Sequence, residues 1–423
     1  MLYYAKGSET EEINLSQLKE GLLTAVEKLK ERKKILIVPP DFTRYHSQAG
    51  IITQMLYEHY QDKITDILPA VGTHYAVNET ERKVMFGNIP ENLFRVHNWK
   101  EDLTTLGQVP KEYIYELTEG KLNFSWSAQV NKLLSHGNHD LIISVGQVVP
   151  HEVIGMANYN KNIFVGVGGK DGIHKSHYLG AVYGMERIMG RADTPVRKVL
   201  NYASDNFANH LPIIYILTVI GKDNNNKLVI RGLFIGDDVE CFNLAAELSL
   251  KVNFIMLDKP LKKVVVYLDP LEFKSTWLGN KSIYRTRMAI EDSGELIVLA
   301  PGLSVFGEDK EIDLLIRKYG YKTTPEILKF VEQNDDLKNN LAAAAHLIHG
   351  SSENRFKITY CPGNITKEEI ENVNFSYASL SEMLKKYDPN KLKDGFNTLP
   401  DEEIFYISNP ALGLWSSKSR FNI

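Results

Sequence analysis

Apolar residues recur along this chain in two alternating rhythms, one helical and one extended. Leu18, Leu22, Ala25, Val26 and Leu29 repeat at helical spacing, so residues 16–31 are predicted as an amphipathic helix with Ser16 as its cap. KKILIVPP (33–40) is a continuous apolar run that predicts a buried strand, and a second helix is expected through Ile51, Ile52, Met55 and Leu56. The rhythm repeats. ITDILPAVGTH (64–74) reads as strand then loop, and NETERKVMF as a helix capped by Asn78 with Glu81 three residues on. A third copy is a helix over 128–135 and a strand over 140–149. Strand, polar loop and helix in succession predict a mostly parallel, doubly wound sheet, an α/β fold.

LPIIYILTVIGKDNNNKLVIRGLFIGD (211–237) departs from that rhythm. It predicts two antiparallel strands joined by the polar turn Lys222–Lys227, followed by a helix near 240–251. Pro260 and the lysines after it read as a linker. Beyond it, strands are expected at 264–269 and 295–302, helices near 281–291 and 309–318, and a helical stretch over 334–349 stopping at Gly350. The last thirty residues carry no pattern that assigns them to a domain. A chain of 423 residues exceeds one ordinary core. The expected division is therefore a larger N-terminal cofactor-binding and catalytic domain, 1–260, and a smaller C-terminal α/β domain, 261–423, closing the cleft.

Composition narrows the partners. A net charge of −4 argues against nucleic acid, and no apolar run approaches the roughly 20 residues of a membrane span. Cys241 and Cys361 are far apart, which leaves neither a disulfide framework nor a thiolate metal site. The opening MLYYAKGSETEE has no signal-peptide pattern, so a cytoplasmic location is expected.

Candidate chemistry gathers just past the predicted strands, where open α/β sheets bind ligands. Asp41 and Arg44 follow the first strand; an arginine there offers a planar, two-pronged donor to a carboxylate, although a cap and a surface ion pair account for the same residues. His74 follows the second strand and His151 the third. Imidazole is the side chain best suited to proton transfer near neutral pH, and two at neighbouring strand ends would face one crevice, as a racemase requires. Past His151 come Lys161, the glycines 166, 168 and 169, and then His174 and His177. This set lacks zinc-ligand spacing, so most ligands of any metal here must come from something other than protein. Lys281, Arg285 and Arg287 form a basic cluster on a predicted helix start, able to clamp an acidic substrate or to be ordinary surface.

Together these pieces resemble the nickel-dependent lactate racemase family. The match comprises D-x-T-R at Asp41–Arg44, G-T-H at Gly72–His74, P-H-x3-G-x5-K from Pro150 to Lys161, and x15-H ending at His177. The resemblance implies a racemase or epimerase of a 2-hydroxy acid, working by reversible hydride transfer to a nickel-pincer nucleotide (pyridinium-3,5-bisthiocarboxylic acid mononucleotide nickel). By position it implies Lys161 as the covalent tether and His177, with His174 as its rival, as the nickel ligand. His74 and His151 become the two catalytic bases, and Asp41 and Arg44 support substrate or a base. It also implies cofactor-making enzymes as partners and a small hydroxy acid as substrate.

The chain departs from the family in two places. Where the family has Gln after Tyr and then Lys, here Tyr284 is followed by Arg285, and the later position is Met288 beside Arg287. The glycine-rich segment between His151 and Lys161 is replaced by Met156-Ala157-Asn158-Tyr159. The added cations predict a substrate larger or more polar than lactate, such as a sugar acid or a dicarboxylate. Two alternatives stand beside this reading. One is another hydroxyacid oxidoreductase or lyase on the same scaffold, with Lys161 unmodified; the other is a non-catalytic small-acid binding protein.

Overall fold

The computed structural model describes every residue except Thr73, Asn224, Asn226, Asn422 and Ile423, and of Leu412 only the backbone. The middle residue of G-T-H and two residues of the expected hairpin turn thus lie outside the described residues. The chain divides into two compact units, residues 1–179 with 189–253, and residues 180–188 with 254–423.

The first unit is built on a six-stranded sheet. Its strands in chain order are β1 (Leu2–Gly7), β2 (Ile35–Val38), β3 (Ile64–Ile67), then β4 (Leu103–Val109) and β5 (Trp126–Asn131), which form a separate hairpin. They continue with β6 (Leu141–Gln147), the short β7 (Pro150–His151) and β8 (Gly155–Met156), and then β9 (Ile213–Lys222) and β10 (Leu228–Gly236). The sheet runs β1-β10-β9-β6-β2-β3. Pairings from β9 through β3 are parallel, and those of β9 with β10 and β10 with β1 are antiparallel. The predicted hairpin is therefore part of the main sheet. Both faces are covered: Ile35, Ile37, Leu141 and Ile143 pack with Leu18, Leu22, Ile52 and Leu56, while Leu36, Val38 and Ile142 on the other face are also buried.

Local expectations meet specific corrections. The first helix is Leu15–Val26 and is capped by Asn14, which exchanges bonds with Gln17 in a capping box; Ser16 is inside it. The Asn78–Glu81 capping box is present. Residues 128–131 are not helical but belong to β5, whose partner β4 is a pairing no local pattern reveals; only Lys132–His136 turns as helix. The helix expected at 281–291 is a single turn, Lys281–Tyr284, because strand Ile290–Ala300 begins soon after. The lysines read as linker, Lys262 and Lys263, lie in strand Leu261–Tyr267.

The second unit has its own six-stranded sheet. Strands Ser376–Tyr377, Lys357–Pro362, Ile290–Ala300, Leu261–Tyr267 and Glu403–Ile407 pair in parallel in that order, with Gly395–Thr398 antiparallel at one edge. The chain's end belongs here too, since Leu414–Ser417 pairs in parallel with Phe254–Leu257 and buries Trp415. The stretch 334–349 is two helices, Asp335–Lys338 and Leu341–His349. Among the described residues no helix is long and apolar enough to cross a membrane.

Candidate active site

The order β6-β2-β3 brings three parallel strand ends to one edge of the first unit's sheet. The two histidine-bearing strands do not adjoin, as had been expected; β2 runs between them and delivers Asp41 to the middle.

Asp41 caps the short helical turn Phe42–Ser47, with Oδ1 accepting from the Thr43 backbone N–H (3.1 Å) and hydroxyl (2.5 Å). Its other oxygen, Oδ2, meets His74 Nδ1 at 2.7 Å. Burial alone would raise the Asp41 carboxyl. The His74 bond and charge, the Thr43 hydroxyl and the Arg44 guanidinium outweigh burial and hold it below the usual carboxylate range. A carboxylate can only accept, so the His74 proton sits on Nδ1 and Nε2 presents a lone pair. The His74 ring is half-exposed while Asp41 is buried, so the imidazole is reachable from solvent and the carboxylate that orients it is not.

His151 is buried within the β7–β8 hairpin. Its Nδ1 accepts the Val153 backbone N–H at 3.1 Å and stands 3.6 Å from Glu152 Oε2. With Nδ1 accepting, a neutral ring carries its proton on Nε2, the reverse of His74. The two imidazoles are thus set as opposite tautomers, one with a lone pair outward and the other with an N–H.

Lys161 enters a one-turn π-helix, Asn162–Gly166, of the kind often found at functional positions. Asn162 anchors that turn to the sheet: its Nδ2 donates to Val38 O (3.0 Å), at the end of β2, and to Ser144 Oγ (2.9 Å), midway along β6. The Gly72 N–H donates to Gly166 O at 2.8 Å and ties the His74 loop to the same turn. Asn162→Ala strands two buried polar groups. It is expected to cost about 2–3 kcal/mol, read as a lower urea midpoint at unchanged slope.

The Lys161 amine makes no hydrogen bond or salt bridge among the described residues. Its accessible surface is intermediate, yet protein atoms crowd it on all sides, and this desolvation lowers its pKa to about 8. Arg44 and Arg197 push the same way, and Glu152 and Asp41 oppose them. At pH 7 about a tenth of such an amine is neutral, a far larger share than for an ordinary lysine. The Arg44 guanidinium likewise makes no hydrogen bond or salt bridge among the described residues. Asp41, Arg44, Glu152 and Lys161 therefore form one charged neighbourhood bordered by His74 and His151.

His177 lies on helix Lys170–Tyr183, which starts from the glycine turn after the π-helix. Its Nδ1 stands 2.6 Å from Ile173 O, and a carbonyl only accepts, so Nδ1 carries the proton and Nε2 keeps a lone pair suited to a metal. His174, also half-buried, lies on the same helix one turn earlier. Among the described residues no three His, Cys, Asp or Glu side chains cluster as a metal cage.

The glycine turn is held by packing. A Cβ on Gly168 would stand 1.8 Å from Phe164 O, so backbone meets backbone there. His97, buried, donates Nε2–H to Gly168 O at 2.9 Å and accepts from Asn131 Nδ2 at 3.0 Å. Burial lowers the His97 pKa below its ordinary 6.5. The unfolded chain therefore binds a proton that the folded chain refuses, and stability falls as pH drops below about 6.5 toward the depressed folded value. His97→Gln is expected to flatten that part of the stability–pH curve in urea titrations.

Lys281, Arg285 and Arg287 belong to the second unit. Lys281 opens the one-turn helix, with Nζ 5.5 Å from the Phe273 ring centre; Arg285 caps its end and Arg287 lies beyond it. Both arginines are buried, so they are not ordinary basic surface. Arg287 donates Nε–H to Glu186 Oε1 at 3.1 Å and a further N–H to Ser351 O, contacts that already balance its charge.

Comparison with known proteins bears on this site. Residues 21–188 match the lactate racemase N-terminal domain family. Residues 21–188 are thus similar to a lactate racemase N-terminal domain. Asp41, Arg44, His74, His151, Lys161 and His177 all fall within the matched residues, whereas Lys281, Arg285 and Arg287 fall outside them. No curated protein matches the chain in sequence. A Thermotoga maritima protein of known structure is similar over 95% of this chain and 98% of its own, at 24% identity and a TM-score of 0.81. The lactate racemase apoprotein from Thermoanaerobacterium thermosaccharolyticum is similar over 98% and 94%, at 18% identity and a TM-score of 0.70. At these identities the two structures speak for a shared fold, and they do so across both units.

Sequence reasoning missed Asn162 and Arg197. Asn162 follows the lysine directly, but nothing local reveals that its amide reaches back to β2. Arg197 lies 36 positions beyond Lys161 in a helix of mixed polarity.

Proposed function

We propose that the chain is a racemase or epimerase of a 2-hydroxy acid that works with a nickel-pincer nucleotide attached to Lys161. The observation that carries this reading is the Asp41–His74 pair beside a lysine amine with no partner and a pKa of about 8. The donor set fits the cofactor: a partly neutral amine suits acylation, and the His177 Nε2 lone pair suits nickel. Once bound, the group supplies a reversible hydride acceptor, chemistry that no side chain provides.

The protein's own residues do the rest. His74 Nε2 takes the proton of a substrate hydroxyl, and Asp41 stabilises the imidazolium that forms. His151 is the second acid–base group, serving the opposite face of the same carbon. Its Nδ1 can take a proton only by releasing the Val153 N–H, and Glu152 at 3.6 Å is the carboxylate that would then balance the charge. Arg44 is the cation for the substrate carboxylate. Lys281, Arg285 and Arg287 are proposed to select a larger or more polar acid than lactate; Glu186 already pairs with Arg287. The enzymes that make the cofactor are the implied partners.

The test is co-expression with the cofactor pathway, followed by intact mass, nickel content and chiral chromatography over a panel of 2-hydroxy acids. A mass increment on the Lys161 peptide, about one nickel per chain and interconversion of one acid's stereoisomers are expected. A loaded chain that binds acids but turns over none would overturn the enzymatic reading. Lactate turned over as well as any polar acid would overturn the substrate preference.

A further inference from the structure

The segment between His151 and Lys161 carries an unusual backbone. Asn158 (φ 67°) and Tyr159 (φ 59°) are consecutive non-glycine residues in the left-handed region, which L residues with side chains seldom occupy in succession. Such a conformation persists only where its surroundings impose it.

Those surroundings come from helix Pro195–Phe207. Arg197, 2% exposed, donates to Met156 O (2.8 Å), to Asn158 O from both terminal nitrogens (3.2 Å each) and to Asn160 Oδ1. Asn160 in turn donates Nδ2 to Asn201 Oδ1 (2.7 Å) and Ser204 Oγ (3.1 Å). Residues 197, 201 and 204 fall on one face of that helix. The guanidinium carbon stands 4.1 Å from the Phe242 ring centre, and Tyr159 stacks on the same Phe242 at 5.3 Å. No salt bridge engages Arg197 among the described residues. Its two terminal nitrogens are spent on the loop that ends at Asn160, the residue before Lys161, while its Nε is buried without a hydrogen-bond partner.

We propose that Arg197, with Asn201 and Ser204 behind it, is the positioning residue for the Lys161 amine, doing with side-chain bonds what glycines would otherwise do by backbone freedom. The inference rests on the reading of Lys161 as the reactive group. The guanidinium acts on the amine twice: it fixes the backbone from which the side chain leaves, and its charge disfavours the ammonium form. The plain alternative is that Arg197 only stabilises the fold.

The test uses the full chain without cofactor, so that it does not depend on turnover. Trace acetylation with acetic anhydride is followed from pH 6 to 11, with the Lys161 peptide quantified by mass spectrometry and exposed Lys111 as internal control. The neutral amine attacks the anhydride carbonyl, acetate leaves and the proton passes to solvent. The parent chain is expected to show a Lys161 midpoint near 8. Arg197→Met is expected to move it up by about one unit, reducing labelling at pH 8 by about fivefold, with Lys111 unchanged. Arg197→Lys, which keeps charge but loses the fork, is expected to recover part of the shift. Should Arg197→Met fail to fold, Asn201→Ala with Ser204→Ala loosens Asn160 alone and is expected to shift the midpoint the same way by less. A folded Arg197→Met or Asn201→Ala/Ser204→Ala chain with the parent midpoint overturns the proposal. A parent midpoint near 8 in a chain that never acquires the cofactor would refute the proposed function and leave this inference standing.

Discussion

Replacing Lys161 with methionine is expected to abolish cofactor attachment and nickel retention outright, and at the same time to make the folded chain more stable. The two effects have one origin. The amine is surrounded by protein, has no hydrogen-bonded partner among the described residues, and its pKa falls from 10.5 to about 8. The folded-state pKa is depressed, so between those values the unfolded chain binds the extra proton and stability rises with pH across that window. At neutral pH the penalty is present in full. Methionine fills a similar volume without charge and should recover about 1–3 kcal/mol of it, discounted for the exposure Lys161 retains. Intact mass and nickel analysis after co-expression read the first effect, and urea titration at pH 7 reads the second. A Lys161→Met chain that still gains the mass increment would place the attachment elsewhere.

Next in size is the loss expected from the Asp41–His74 pair. His74→Ala should lower turnover of the preferred hydroxy acid by about 10²–10⁴-fold, the usual worth of a placed general base. Asp41→Asn is the sharper probe. Asparagine caps the Phe42–Ser47 turn as aspartate does, so the fold should persist. Its amide N–H, however, can donate to Nδ1, which moves the imidazole proton to Nε2 and removes the lone pair from the substrate side. A loss approaching that of His74→Ala is expected, with nickel content and Lys161 mass unchanged in both variants. Full activity in Asp41→Asn would remove the carboxylate from the mechanism.

Much of this arrangement was legible in the residues themselves. Short, β-branched runs ending in polar loops marked β2, β3 and β6, because a strand buried on both faces has little choice of composition. His74, His151 and Lys161 stood out because each follows such a strand, where a sheet opens. What escaped was set by distant partners. Residues 128–131 have apolar spacing compatible with a helix, and only pairing with Leu103–Val109 makes them a strand. Residues 285–291 read as helix from their composition, yet Ile290 is drawn into a parallel sheet. Arg197 resembles a surface arginine until the loop that consumes its donors is in place. The strand order also lies beyond local pattern: β2 between the two histidine strands is a topological fact, and it is what supplies Asp41 to one histidine and not the other.

The solitary amine of Lys161 has one more consequence. Converting it to an amide erases the charge that burial penalises, so the finishing reaction would tighten the chain as well as equip it. Newly synthesised copies still waiting for their group would open more readily and meet proteases first, since degradation of transiently opened chains follows their equilibrium population. Cellular turnover would then sort finished copies from unfinished ones with no dedicated inspector.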